Sequence, residues 1–183
     1  MFVCFEGIDG AGKSTQAHML HSALTALGYS AELVRDPGTT RLGDAIRKLI
    51  LECDAPITGK AQALLFSAAR AELSEYIRDK LASGFIVICD RWLLSTLVYQ
   101  TTISPKLLLD VFDATSIIPD ICFLLDLQPE TAEQRRPADA RKDRYERASL
   151  AVKTARRNQY IFHANIPQCA KKVTVLDAAA PEA

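Results

Sequence analysis

Residues 7–14, Gly-Ile-Asp-Gly-Ala-Gly-Lys-Ser, match the pattern GxxxxGK[ST] completely and lie between a short apolar run, Phe2 to Phe5, and a helical pattern over 13–27. Three glycines in six positions let the backbone curl until successive N–H groups point inward at phosphate oxygens. A helix beginning near Lys13 adds the positive end of its dipole. In such a loop the Lys13 ammonium reaches the β and γ phosphates and the Ser14 hydroxyl can ligate Mg²⁺. A chance glycine turn would need neither the lysine, the hydroxyl nor the strand–loop–helix setting. The stretch Gly7, Ile8, Asp9, Gly10, Ala11, Gly12, Lys13, Ser14 and Thr15 therefore reads as a P-loop that holds a nucleoside triphosphate, with ATP the expected donor.

The rest of the chain repeats that strand-then-helix rhythm. Apolar runs at Ala31 to Val34, Phe85 to Cys89, Ile121 to Leu127 and Val173 to Leu176 read as further strands. Helical spacing covers 41–52, 60–82, 93–100 and 105–114, and a pattern from 130 to about 165 is interrupted at Pro137. Strands alternating with helices predict an α/β fold, a doubly wound parallel five-stranded sheet with helices on both faces and ligands outside the carboxyl ends of the strands. At 183 residues, 49% hydrophobic and 24% charged, one domain spanning 1–183 is expected, hiding about 70% of the unfolded chain's surface without metal or disulfide staples.

Twenty-two basic residues balance twenty-two acidic ones, which argues against a binder of polymeric nucleic acid. Of five cysteines, Cys4, Cys89 and Cys122 lie inside apolar runs and read as free core residues, and Cys53 and Cys169 are isolated. With no CxxC or Cys/His spacing, a metal finger or disulfide scaffold fails and a reducing compartment fits. MFVCFEG has no basic leader, and no apolar run nears the ~20 residues of a membrane span, so a soluble, cytoplasmic protein with no membrane partner is expected.

A P-loop alone does not choose among GTPases, motors and small-molecule kinases. The guanine-reading NKxD is absent. Asp90 directly follows the strand FIVIC, beside the P-loop, where a metal or its water shell could sit; the plainer role is a helix N-cap. Phe66 and Arg70, four apart on a helix, share a face suited to stacking on a base and donating to its carbonyl, although a Phe in LLF by itself reads as core. Arg91 offers a fork of donors for phosphate oxygens, or a surface ion pair. Thr96, Tyr99 and Gln100 share one helical face. Between 135 and 157, nine basic residues face three acidic ones, a surplus of six that leaves the remaining chain at −6. Lys153, Arg156 and Arg157 in that run read as a solvated helix face.

FEGIDGAGKSTQ, RDPGTT, LLFSAAR, CDRWLLSTLVYQ, PDICFLLDL and DRYE, in that order and spacing, resemble the thymidylate kinase (dTMP kinase) family over nearly the whole chain. The resemblance implies an ATP-dependent nucleoside monophosphate kinase that makes dTDP and ADP from dTMP and ATP with Mg²⁺, working as a homodimer. It implies an acceptor-binding region at about 35–100 and a mobile lid at about 135–146. In the family the positions of Phe66 and Arg70 contact thymine, Arg91 binds the acceptor phosphate, and Thr96, Tyr99 and Gln100 contact base and sugar. Asp9 lies near the sugar 3′-OH and the magnesium, Arg35, Asp36 and Pro37 wrap the acceptor, and Ser14 and Asp90 form the metal side. Some members carry an arginine in the P-loop and others in the lid. Gly10-Ala11 here imply a lid arginine, Arg136 or Arg141, at the transferring phosphoryl, with Arg144 for structure or phosphate binding.

Three features depart from the family pattern. RDPGTT replaces REPGGT, shortening the acidic side chain at Asp36 by a methylene and putting Thr39 where a flexible glycine is usual. Trp92 stands where Tyr or His is more common, altering the packing beside the acceptor. The stretch after Leu176 leaves little room for a closing helix. The rival readings are a kinase of another nucleotide, such as dUMP, or of a deoxynucleoside, and a regulator that holds ATP without transferring it.

Overall fold

The computed structural model describes residues 1–52, 56–135, 145 and 147–179. Five strands, β1 (Phe2–Glu6), β2 (Ala31–Arg35), β3 (Ile86–Asp90), β4 (Ile121–Asp126) and β5 (Lys172–Asp177), form one sheet in the order β2-β3-β1-β4-β5. Every pairing is parallel. All five residues of β1 are buried, as expected of a central strand covered on both faces. Cys4 pairs with Cys89 on one side and Cys122 on the other, and these three thiols, with Cys169, are free and buried. Cys53 lies outside the described residues.

Around the sheet run α1 (Lys13–Ala26), α2 (Arg41–Glu52), α3 (Gly59–Ala82), α4 (Leu93–Tyr99), α5 (Pro105–Thr115), α6 (Pro129–Gln134) and α7 (Leu150–His163). Their starts follow local chemistry. The hydroxyls of Thr58 and Ser104 accept the Ala61 and Leu107 N–H groups at the heads of α3 and α5, each at 3.3 Å, and Pro105 takes the first turn, where its missing N–H costs nothing. The helical pattern from 130 to 165 resolves into α6 and α7. The sheet, α1 and the inner face of α3 bury the main core, in which Trp92 meets Phe2 and Phe112 edge-on. A smaller cluster of Ile46, Ile50 and Ala69 joins α2 to α3. Among the described residues no helix is long and apolar enough to cross a membrane.

The chain lays β2 and β3 on one side of β1 and β4 and β5 on the other. In an open parallel sheet that reversal opens a crevice at the carboxyl ends of the strands. A cleft of about 1370 Å³ lies there, lined by residues that follow or end all five strands.

Candidate functional site

The P-loop is seated by contacts that tolerate no side chain. At Gly7 (φ 138°) a Cβ would lie 2.5 Å from the Leu125 carbonyl oxygen, and at Gly10 (φ 84°) 2.7 Å from that of Ala132. Bare backbone thus packs the loop against β4 and α6. An arginine at position 10 would collide with α6, which is a steric reason for the neutral Gly10-Ala11. Lys13 is buried, and its Nζ donates to the Ile8 carbonyl at 2.7 Å. Burial and the neighbouring Arg91 charge lower its pKa to about 8, against the pull of Asp9, Asp90 and Glu6. The Ser14 hydroxyl donates to Asp90 Oδ2, while Asp90 Oδ1 is buried with no hydrogen-bond partner. Trp92, not Asp90, is the N-cap of α4, so the capping role does not apply. Residues 9–15 line the cleft, whereas Gly7 and Ile8 do not.

Opposite the loop, Arg70 is 4% exposed and joins two elements. Its guanidinium donates to Asp36 Oδ2 at 2.6 Å and to the Thr96 hydroxyl, and it lies over the Trp92 ring, 5.5 Å from the centroid. Trp92 thus gives this arginine an aromatic floor. Burial raises the Asp36 pKa, and the Arg70 and Arg47 charges oppose the rise. The Asp36–Pro37 peptide is cis, and Thr39 adopts φ 69°, the left-handed conformation a glycine would take there without strain. Its hydroxyl accepts the Arg35 N–H at 2.9 Å, a local bond that glycine could not make. Phe66 is half-buried against the α2–α3 cluster and also lines the cleft.

Arg91 stands between these walls. It pairs with Asp9 and donates through Nη1 to Ser95 Oγ at 3.0 Å and the Tyr160 hydroxyl at 3.1 Å. Tyr99 donates to the other Asp9 oxygen at 2.9 Å. Burial pushes the Asp9 carboxyl up, but Arg91, Lys13 and the Tyr99 hydroxyl outweigh it and hold the pKa at about 2. Arg35, Asp36, Pro37, Thr96 and Gln100 line the same cleft. Arg136, Arg141 and Arg144 lie outside the described residues; the neighbouring Arg135 lines the cleft.

Two side chains lie within the motifs FEGIDGAGKSTQ and DRYE, but the motifs do not say what they touch. Glu6 is fully buried and accepts from Trp92 and Ser95. Tyr145 donates to Gln62 Oε1 at 2.6 Å and meets the Tyr99 ring edge-on. The basic face of α7 corrects the reading of Lys153, Arg156 and Arg157 as solvated: all three are half-buried. Lys153 pairs with Glu133, and Arg157 makes a two-pronged bond to Asp126. Arg156 lies 4.6 Å from the Tyr99 ring centroid and donates to the Tyr145 carbonyl at 2.7 Å. Helical periodicity cannot foresee partners that β4, α4 and α6 bring to that face.

A glycine loop between the central strand and a helix, with cations facing it across a cleft at the strand ends, defines an α/β protein of the P-loop nucleotide-binding class. The family profile described as Thymidylate kinase matches residues 5–183. The thymidylate kinase of Pelodictyon phaeoclathratiforme is 46% identical over 74% of this chain and 65% of its own length. That of Oleidesulfovibrio alaskensis is 36% identical over 98% of this chain and 91% of its own. The alignment with the Roseiflexus castenholzii enzyme likewise spans 62% of that protein. The crystal structure of thymidylate kinase from Ehrlichia chaffeensis superposes with a TM-score of 0.73 at 28% identity, covering 96% of this chain and 91% of the other. The chain belongs to the thymidylate kinase family.

Proposed function

We propose that the protein transfers the γ-phosphoryl of ATP to dTMP, giving ADP and dTDP. The observation that carries this reading is the make-up of one cleft: Lys13 and Ser14 of the P-loop, Arg70 on the wall opposite, and Arg91 between the two. In-line transfer between two phosphates needs no protein nucleophile, and catalysis then consists of positioning and charge neutralisation. Lys13 takes the donor phosphates, Arg91 the acceptor phosphate, and Phe66 and Arg70 the base, with Arg35, Asp36, Pro37, Thr96, Tyr99 and Gln100 around the nucleotide. Asp9, ionised at any physiological pH, orients Arg91 and Tyr99 beside the sugar. A lid at about 135–146 closes over ATP and supplies Arg136 or Arg141 to the transferring group.

Among the described residues no three His, Cys, Asp or Glu side chains form a metal cluster. The Ser14 hydroxyl and the unpartnered Asp90 Oδ1 are hard oxygen donors, which suits Mg²⁺ carried largely on phosphate oxygens. Ser14 and Asp90 would hold it, and the ion would neutralise charge between the β and γ phosphates. The family resemblance further supports a cytoplasmic homodimer built as a single domain.

Steady-state kinetics with a panel of dTMP, dUMP, other nucleoside monophosphates and deoxythymidine tests the reading. It predicts the highest kcat/KM for dTMP and ADP release only when an acceptor is added. A better acceptor than dTMP, or ADP formation independent of any acceptor, would overturn it.

A further inference from the structure

Glu6, the last residue of β1, is a carboxylate with no exposed surface in the central strand of the sheet. Such a group persists in a core only when its oxygens are fully used. Oε1 accepts the Trp92 N–H at 2.8 Å and the Ser95 N–H at 3.0 Å, and Oε2 accepts the Ser95 hydroxyl at 2.5 Å. Trp92, the N-cap of α4, has no side-chain acceptor of its own. The third N–H of that helix, normally satisfied by a capping Ser, Thr or Asp, is satisfied here from another element.

Ser95 passes the arrangement on to Arg91. Because its hydroxyl proton goes to Glu6, its lone pairs face the other way, toward Arg91 Nη1 at 3.0 Å and the Tyr160 hydroxyl at 2.8 Å. Tyr160 also accepts from Arg91 Nη1. The donors therefore run in one direction, from guanidinium to hydroxyls to carboxylate. The Arg91 backbone is held at φ 74°, with its N–H on the Phe5 carbonyl at 3.0 Å and the Cys89 thiol on its own carbonyl at 3.0 Å. A left-handed arginine persists only where its surroundings over-determine it.

We propose that Glu6 is a positioning residue for phosphoryl transfer: through the Ser95 hydroxyl, and with Tyr160, it sets the direction in which Arg91 presents its guanidinium to the acceptor phosphate. The inference rests on the reading of Arg91 as the acceptor-phosphate ligand. Glutamine cannot replace this carboxylate, since one of its two ends must set an NH₂ against either two backbone N–H groups or the Ser95 hydroxyl. In the second case the hydroxyl reverses and turns its proton toward Arg91 or the Tyr160 hydroxyl, which breaks the single direction of the donors.

Initial-rate kinetics with both substrates varied, on Ser95→Ala, Ser95→Thr, Tyr160→Phe and Glu6→Gln, test this. Ser95→Ala and Glu6→Gln lower kcat/KM for dTMP by about tenfold or more, the scale of one lost charge-assisted hydrogen bond, and leave the KM for ATP within about twofold. Tyr160→Phe costs about threefold, and Ser95→Thr, which keeps the hydroxyl, stays within about threefold of the wild type. If Glu6→Gln fails to fold, Ser95→Ala decides. A kcat/KM for dTMP within twofold of wild type in Ser95→Ala, or KM values for both substrates rising together, overturns the inference. Arg91→Lys separates the two layers. Loss of activity there with none in Ser95→Ala removes only the role of Glu6, whereas no loss in Arg91→Lys removes the Arg91 reading and this inference with it.

Discussion

Two neighbouring cations, Arg91 and Lys13, line the cleft, and they are held differently. Arg91 is braced by Asp9, Ser95 and Tyr160, drawn from three separate elements, and its charge is maintained although burial opposes it. Lys13 rests on a carbonyl of its own loop, and burial brings its pKa down to about 8. On the proposed reading, the acceptor side is thus prearranged for a dianionic phosphate. On the same reading, the donor side carries a desolvated ammonium whose full charge an arriving polyphosphate would restore. Arg70 repeats the acceptor-side pattern one layer deeper, clamped between Asp36, Thr96 and Trp92.

Substitutions can break this contrast at graded cost. The largest effect falls on the donor side: Lys13→Met lowers kcat by roughly 10³-fold, the scale of a lost charge at the transferring group, while the dTMP Kd stays within about twofold. Single-turnover rates with calorimetric dTMP binding check both halves. Arg70→Ala strands Asp36 in a buried site and costs roughly 3–5 kcal/mol of stability, read by urea unfolding; a loss below about 1 kcal/mol would mean that the clamp is not prearranged.

The titration of Lys13 is subtler. Because its folded pKa of about 8 lies below the ordinary 10.5, the folded protein binds fewer protons than the unfolded chain between those values. The stability of the free protein therefore rises as pH climbs from 8 to 10.5. Binding a non-hydrolysable ATP analogue at pH 8 should take up about half a proton, measurable by calorimetry in buffers of different ionisation enthalpy and lost in Lys13→Met. The smallest effect is at the Arg157–Asp126 pair between α7 and β4, both partners about a quarter exposed. Arg157→Ala should cost about 1 kcal/mol or less, seen as a small shift in Tm.

What was legible in the sequence follows from where the physics is local. Gly7 and Gly10 state backbone requirements, so the loop could be read from seven or eight consecutive residues. The i, i+4 pair Phe66 and Arg70 needed only helical spacing, and the adjacency of Asp90 and Arg91 to a strand end needed only the strand. The bracing of Arg91 was not legible: Glu6, Ser95 and Tyr160 are brought together by β1, α4 and α7, with successive members 65 positions or more apart. The basic face of α7 shows the same limit, since the partners Glu133 and Asp126 come from other elements. Thr39 shows the converse, a departure from glycine that keeps the glycine conformation and adds a bond to Arg35.

The most direct test of the divided cleft is a crossed titration by calorimetry, with dTMP and a non-hydrolysable ATP analogue each titrated into wild type, Lys13→Met and Arg91→Ala. The account predicts that Arg91→Ala weakens dTMP binding by about tenfold or more with the ATP-analogue Kd within about twofold, and that Lys13→Met does the reverse. Equal weakening of both ligands in either variant, or the opposite pairing, would contradict it.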